Sequence, residues 1–197
     1  MTDESNKEIG EFIDCLVVAI NQGMGKSNAP AVETGELITG LRSNRTPNSL
    51  NPEGGMPALD HLPIAIRNAR SGPLRIRYLA ECFEKIADTL PWYQREEPAL
   101  PKFMRGHANA FIIGPNGLEE RDGVVIGASL LAPEIEYPHH NHPANELYVV
   151  MSTGNWRQDN NPWHTPGIGG LVYNSSNIGH SMRSGSKPLF AIWCLWL

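Results

Sequence analysis

The sequence predicts a mainly β chain with a helical lead-in. Helices occupy residues 1–106, and a small antiparallel β-barrel follows over 107–197. Three observations predict this. Apolar residues of the first hundred positions recur at helical spacing, as in Ile9, Ile13, Leu16 and Ile20. From His107 the period changes to two, in short runs separated by turn residues. Finally, a dozen residues of that second half, Tyr137–Tyr148 (YPHHNHPANELY), hold three histidines, one glutamate and two tyrosines. Many short strands after a helical run favour a closed barrel or double sheet, whose mouth or interior takes the ligand.

The elements follow in order. Ser5-Asn6-Lys7-Glu8 has the form of a capping box ahead of the first helix, which Gly23 and Gly25 end. Thr34 is placed to cap a short helix carrying Leu37, Ile38 and Leu41. Asn44–Pro57, rich in Asn, Pro and Gly, reads as a loop. Leu62 and Ile66 mark a third helix that stops near Gly72. Pro73 suits the first turn of a fourth, with Leu79, Cys82, Phe83, Ile86 and Leu90 on one face and Pro91 closing it. These helices are expected to be a scaffold packed on the barrel, with a lid over the site as the second reading. Strands are expected over Ala110–Ile113, after a Gly114–Gly117 turn over Val124–Leu131, through the histidine-rich stretch, at GGLVY, around His180, and at LFAIWCLW. Thr153–Pro166 reads as a longer connection bordering the pocket.

Composition narrows the function. Apolar content of 41% supports a buried core. A formal charge of −5 argues against nucleic acid or an anionic membrane as partner. No apolar run approaches the roughly 20 residues a membrane-spanning helix needs. The polar, acidic start MTDESNKE does not read as a signal peptide. Cys15, Cys82 and Cys194, odd in number and far apart, suggest free buried thiols in a reducing, cytoplasmic setting. The expected assembly is a monomer or homodimer.

The chemistry concentrates in the histidine-rich stretch. His140 and His142 lie two apart and share one face of a strand. Pro143-Ala144-Asn145 makes a turn, and Glu146 and Tyr148 then share a face of the next strand. One bend thus brings two imidazoles, a carboxylate and a phenol together. Burying them without a cation is costly, so the set reads as ligands for one divalent transition metal, zinc or iron first, with manganese, cobalt or nickel admissible. His180, in SSNIGHSM, is the candidate remaining ligand. His139 faces away from His140. His61, His107 and His164 read as satisfied core or surface histidines, and Trp193 and Trp196 as core aromatics.

The pattern His140-x-His142-x-x-x-Glu146 with a distant His180 resembles the metal signature of the cupin β-barrels. Gly169 and His180 keep their places in that family's second motif, G-x5-P-x-G-x-x-H. Ser175 and Asn177 stand where it has Pro and Gly, and Glu134 where the first motif has its leading Gly. More narrowly, Tyr137-x-x-His140-x-His142-x-x-x-Glu146-x-Tyr148, then WRQ, PWHTPGIGGLVYN, GHSMRS and PLFAIWCLW, resembles the dimethylsulfoniopropionate (DMSP) lyases of the DddQ type. The match runs from about His107 to the C-terminus.

That resemblance implies His140, His142, Glu146 and His180 as metal ligands, Tyr148 as general base and Tyr137 as a second active-site tyrosine. It implies a small zwitterionic substrate cleaved by β-elimination to dimethyl sulfide and acrylate. An aromatic wall suits the sulfonium by cation–π attraction, and Trp156, Trp163 and Tyr137 are candidates. Two other classes remain open. One is a different metal-dependent cupin enzyme, such as an oxygenase, for which the same ligands suit Fe(II). The other is a non-catalytic ligand-binding cupin.

Overall fold

In a computed structural model, residues 3–48 and 55–197 are described. Five α-helices occur among them: α1 (Asp3–Gly23), α2 (Ala31–Leu41), α3 (Leu62–Arg70), α4 (Leu74–Ile86) and the short α5 (Pro101–Gly106). The strands are β1 (Arg45–Pro47), β2 (Trp92–Tyr93), β3 (His107–Ile113), β4 (Glu119–Arg121), β5 (Val124–Leu131), β6 (Glu136–His140), β7 (Asn145–Val150), β8 (Asn155–Gln158), β9 (Leu171–Asn174), β10 (His180–Arg183) and β11 (Leu189–Trp196). The larger sheet runs β1-β4-β3-β5-β11-β7-β9, with β2 added beside β3; the smaller runs β6-β10-β8. Pairing is antiparallel except for the single β3–β4 register point, Ile113 opposite Glu119.

The central strands bury both faces, which explains why they carry so few polar residues. Along β11, Phe190, Ile192, Cys194 and Trp196 join the core shared with the helices, while Leu189, Ala191 and Trp193 join a second core inside the barrel. On β7, Leu147 and Val149 face the helices, and Tyr148 and Val150 face inward. A side-chain period of two therefore sorts each strand between a structural face and a functional face. Phe83 of α4 anchors the helical layer. Its ring centroid lies 4.8 Å from that of Phe190, 6.3 Å from Phe12 and 6.4 Å from Trp92. The barrel after a helical lead-in agrees with the fold class the sequence predicts.

Local details differ from the sequence reading. Helix α1 has already begun at Asp3, so Ser5 sits in its first turn and not at the cap; Asp3 and Glu4 there suit the positive end of the helix dipole. Thr34 is likewise inside α2, whose cap is Pro30, and its hydroxyl donates back to the Pro30 carbonyl at 2.7 Å. Helix α4 ends at Ile86 and gives way to a 3-10 turn, Ala87–Thr89, before Pro91 is reached. Within the expected loop Asn44–Pro57, Arg45–Pro47 is a strand paired with β4, and residues 49–54 lie outside the described residues. The connection Thr153–Pro166 contains β8. These short edge strands carry little periodicity of their own, and pairing with a neighbour creates them.

Candidate metal centre

Strands β6 and β10 run side by side with His140 directly opposite His180. His142 follows in the turn after β6, and Glu146 is the second residue of β7. The imidazole centroids lie 4.1 Å apart for His140–His180, 5.2 Å for His142–His180 and 6.1 Å for His140–His142. One ring nitrogen from each falls within 4.8 Å of the others.

The backbone fixes which nitrogens converge. Nδ1 of His140 donates to the Pro138 carbonyl at 2.9 Å, that of His142 to Ala144 at 3.0 Å, and that of His180 to Ile178 at 3.0 Å. A carbonyl only accepts, so each Nδ1 carries the hydrogen and each Nε2 presents a lone pair. Nε2 of His180 is buried with no hydrogen-bond partner, although Glu146 Oε2 stands 3.1 Å away; the same oxygen is 3.7 Å from His142 Nε2. Asn174 Nδ2 donates to Glu146 Oε2 at 2.8 Å, and Gln158 Nε2 donates in turn to Asn174 Oδ1 at 3.1 Å. Lone pairs and a carboxylate gathered at one point, each oriented by a second hydrogen bond, fit a divalent cation with N/O preference. His140, His142 and His180 are residues that could hold it, with Glu146 placed beside them.

The electrostatics agree. Burial works to raise the Glu146 carboxyl, but His142, His180 and Asn174 outweigh it and hold its pKa near about 2, so the group is ionised at neutral pH. Burial, and then His180 beside it, lowers His140 to about 4, leaving it neutral. His142 is raised chiefly by the Glu146 carboxylate, 3.7 Å from its Nε2, which draws positive charge to that point.

Tyr148 shares the inner face of β7 with Glu146 and is 3% exposed. Burial first, and the Glu146 charge second, push its hydroxyl well above the ordinary phenol range. Tyr137, on β6, accepts a hydrogen bond from Asn109 Nδ2 at 3.2 Å, and Ser129 Oγ donates to Asn109 Oδ1 at 2.7 Å. Its ring lies 5.1 Å from His140, with the Arg95 guanidinium 5.7 Å from its centroid on one side.

His140, His142, Glu146, Tyr148, Tyr137, Asn109 and Ser129 line a cavity of about 190 Å³ whose remaining wall is Tyr93, Phe111, Trp193 and Leu195. Tyr93 stacks on Phe111 at 4.8 Å, and Phe111 meets Trp193 edge-on at 5.7 Å. Of the residues singled out in the sequence, the structure brings together His140, His142, Glu146, His180, Tyr148 and Tyr137. It does not bring Trp156 and Trp163 to the cavity wall. Trp156 is buried behind Tyr148, 6.3 Å between centroids, and Trp163 is held between Arg157 and Arg183, 4.5 and 4.2 Å from its ring centre. His139 is exposed. His107 is a satisfied core histidine: Nδ1 donates to Phe103 at 2.7 Å, and Nε2 accepts from the Arg95 amide at 2.8 Å.

Sequence reasoning missed Tyr93, Asn109, Phe111, Ser129, Asn174 and Trp193. The only signal for two of them was register. Trp193 pairs directly with Tyr148, and Asn174 with Glu146, so each shares its partner's face.

Fold and site together define a cupin-type double-stranded β-helix with a histidine-rich centre inside the barrel. The DMSP lyase family model matches residues 33–191, and the chain belongs to that family. It is 26% identical over 145 residues to the candidate DMSP lyase DddL of Cereibacter sphaeroides, covering 74% of this chain and 60% of that protein. It is 27% identical over 95 residues to the DMSP lyase DddQ of Ruegeria pomeroyi, covering 48% of this chain and 47% of that one. The chain thus spans about half to three-fifths of the length of these relatives. Among solved structures, one from the DMSP lyases RdDddP and RnDddQII superimposes with a TM-score of 0.74 at 16% identity, covering 98% of this chain and 93% of its own. The crystal structure of DddQ from Ruegeria pomeroyi gives 0.65 at 20% identity, covering 92% and 89%. At these identities the structures speak for the fold.

Proposed function

We propose that this chain is a metal-dependent DMSP lyase that cleaves its substrate by β-elimination to dimethyl sulfide and acrylate. The observation that carries the reading is the convergence of three Nε2 lone pairs and the Glu146 carboxylate, beside Tyr148, inside the barrel of a DMSP lyase family member. His140, His142, Glu146 and His180 would hold a divalent cation, zinc or iron in the first place, which when bound would supply positive charge to stabilise the carboxylate end of the substrate and favour the phenolate of Tyr148.

The chain's own residues do the rest. Tyr148 takes the proton from the carbon α to the carboxylate. The C–H electron pair becomes the new C=C bond, and the Cβ–S pair leaves on sulfur as neutral dimethyl sulfide. The hydroxyl of Tyr137 accepts from Asn109, which leaves its own proton free to hydrogen-bond the substrate. Tyr93, Phe111 and Trp193 offer π-faces to the sulfonium, each contact worth on the order of 0.5–2 kcal/mol. The cavity, about 190 Å³, suits a small substrate. In this reading residues 1–106 brace the 107–197 barrel.

The test is an anaerobic incubation of metal-loaded protein with DMSP, with dimethyl sulfide and acrylate assayed together. Equal release of both supports the lyase. Product formation that requires dioxygen points instead to an oxygenase. Tyr148→Phe is expected to keep its metal and lose roughly 10²–10⁴-fold in kcat, whereas His142→Ala loses metal and turnover together. A Tyr148→Phe protein with near-normal turnover removes Tyr148 from the base role.

A further inference from the structure

Outside the cavity, the fold brings two of the three cysteines together. Cys15 lies on α1 and Cys82 on α4, 67 residues apart in sequence, and their Sγ atoms are 3.0 Å apart. Both thiols are free, Cys15 half-buried and Cys82 buried. Sequence spacing gave no hint of the pairing, because it depends on how two helices pack. We propose that Cys15 and Cys82 form a redox-modifiable dithiol that closes to an intramolecular disulfide on exchange with a low-molecular-weight disulfide such as oxidised glutathione.

The exchange balances as two steps. The Cys15 thiolate, the more accessible of the two, attacks the small disulfide, and one small thiol leaves. Cys82 Sγ then attacks Cys15 Sγ of the mixed disulfide, and the second small thiolate departs with the Cys82 proton. Two protein thiols are oxidised and one small disulfide is reduced to two thiols. Burial, and Cys15 beside it, push the Cys82 thiol up to about 12, so Cys15 and not Cys82 is the thiol that meets the oxidant; Cys82 reacts second because its Sγ already lies 3.0 Å from Cys15 Sγ. The Lys85–Glu11 ion pair, 2.7 Å, links the same two helices. The third cysteine, Cys194, is buried on β11 and serves as an internal control.

The link has a defined structural consequence. Helix α4 carries Phe83 against the barrel and leads to β2, which delivers Tyr93 to the cavity. A disulfide clamps α1 onto that helix and closes a long loop in the unfolded chain, so oxidation is expected to raise Tm by roughly 5–15 °C.

The experiment equilibrates the purified full chain in glutathione redox buffers of graded potential. Free thiols are counted under denaturing conditions, and the oxidised protein is digested and mapped by mass spectrometry. The expected result is a fall from three thiols to one, a cross-linked peptide joining Cys15 to Cys82, and a higher Tm that reductant reverses. Cys15→Ser and Cys82→Ser should each keep two thiols under the same oxidation and show no Tm rise. A count that stays at three, a glutathione adduct on Cys15 as the end product, or a cross-link through Cys194 or between two molecules would overturn the proposal. None of these readouts depends on turnover, so they stand apart from the lyase test.

Discussion

At the scale of single residues, His140, His142, His180 and Glu146 are each oriented by a further hydrogen-bond partner. Asn174 is the least obvious of these. Its amide donates to Glu146 Oε2 while Gln158 fixes the other end of the amide. We predict that Asn174→Ala lowers metal affinity by roughly 10–100-fold, as loss of an orienting partner generally does, measured by competition with a chromogenic chelator; unchanged affinity would show that Glu146 is positioned without it. Two backbone positions make a related point. Glu134 and Asn177 have φ of 59° and 61°, the left-handed region that glycine adopts without strain. Both stand where the cupin motifs have glycine, so the turn geometry is kept without the residue that suits it. The Asn177 amide donates to the His142 carbonyl at 2.9 Å, tying the turn before His180 to the loop of another ligand. Glu134→Gly should stabilise the fold by about 1 kcal/mol, read as a higher denaturation midpoint. Asn177→Gly should gain less, because Asn tolerates this region.

At the scale of elements, the cavity wall depends on how closely β5 and β11 approach. Gly127 pairs with Trp193 across the two strands. A Cβ on Gly127 would come within 2.0 Å of the Trp193 ring and 2.3 Å of the Ala110 carbonyl oxygen. The glycine is there so that the indole can lie over the strand and border the cavity. Gly127→Ala is therefore expected to move the indole, destabilise the protein by roughly 1–3 kcal/mol as overpacking does, and raise KM while the metal content stays intact. Steady-state kinetics and metal analysis on the same preparation check this, and an unchanged KM would mean that Trp193 does not touch substrate.

At the scale of the whole molecule, the site couples the two sheets to each other. His140 and His180 come from the smaller sheet, and Glu146 from the larger. A cation bound to all of them favours the folded chain, in which they are assembled, over the unfolded one, in which they are not. At a free metal concentration about 100 times Kd this is worth about 2.7 kcal/mol, a Tm shift on the order of 5–10 °C for a chain of this size. Thermal melts with chelator, and after metal is restored, should differ by this amount. His142→Ala should show a much smaller difference.

Much of this molecule was legible in the order of its residues. The change of period near His107 marks where strands replace helices, because side chains alternate across a sheet and wind around a helix. The spacing of His140, His142, Glu146 and Tyr148 places them together through local geometry alone, one bend between two strands. His180 is remote in sequence and was reached through the motif. What only the tertiary structure decided is everything that depends on which strands and helices become neighbours. The sequence offered Trp156, Trp163 and Tyr137 for the aromatic wall; Tyr137 does border the cavity, but its other aromatic neighbours there are Tyr93, Phe111, Tyr148 and Trp193, not the two tryptophans. Strand β11 is apolar on both faces because one face meets the helices and the other the barrel interior, so composition could not tell Trp193 from Trp196. Cys15 and Cys82 meet for the same kind of reason: two helices, each predictable by itself, pack along faces whose register no local pattern encodes.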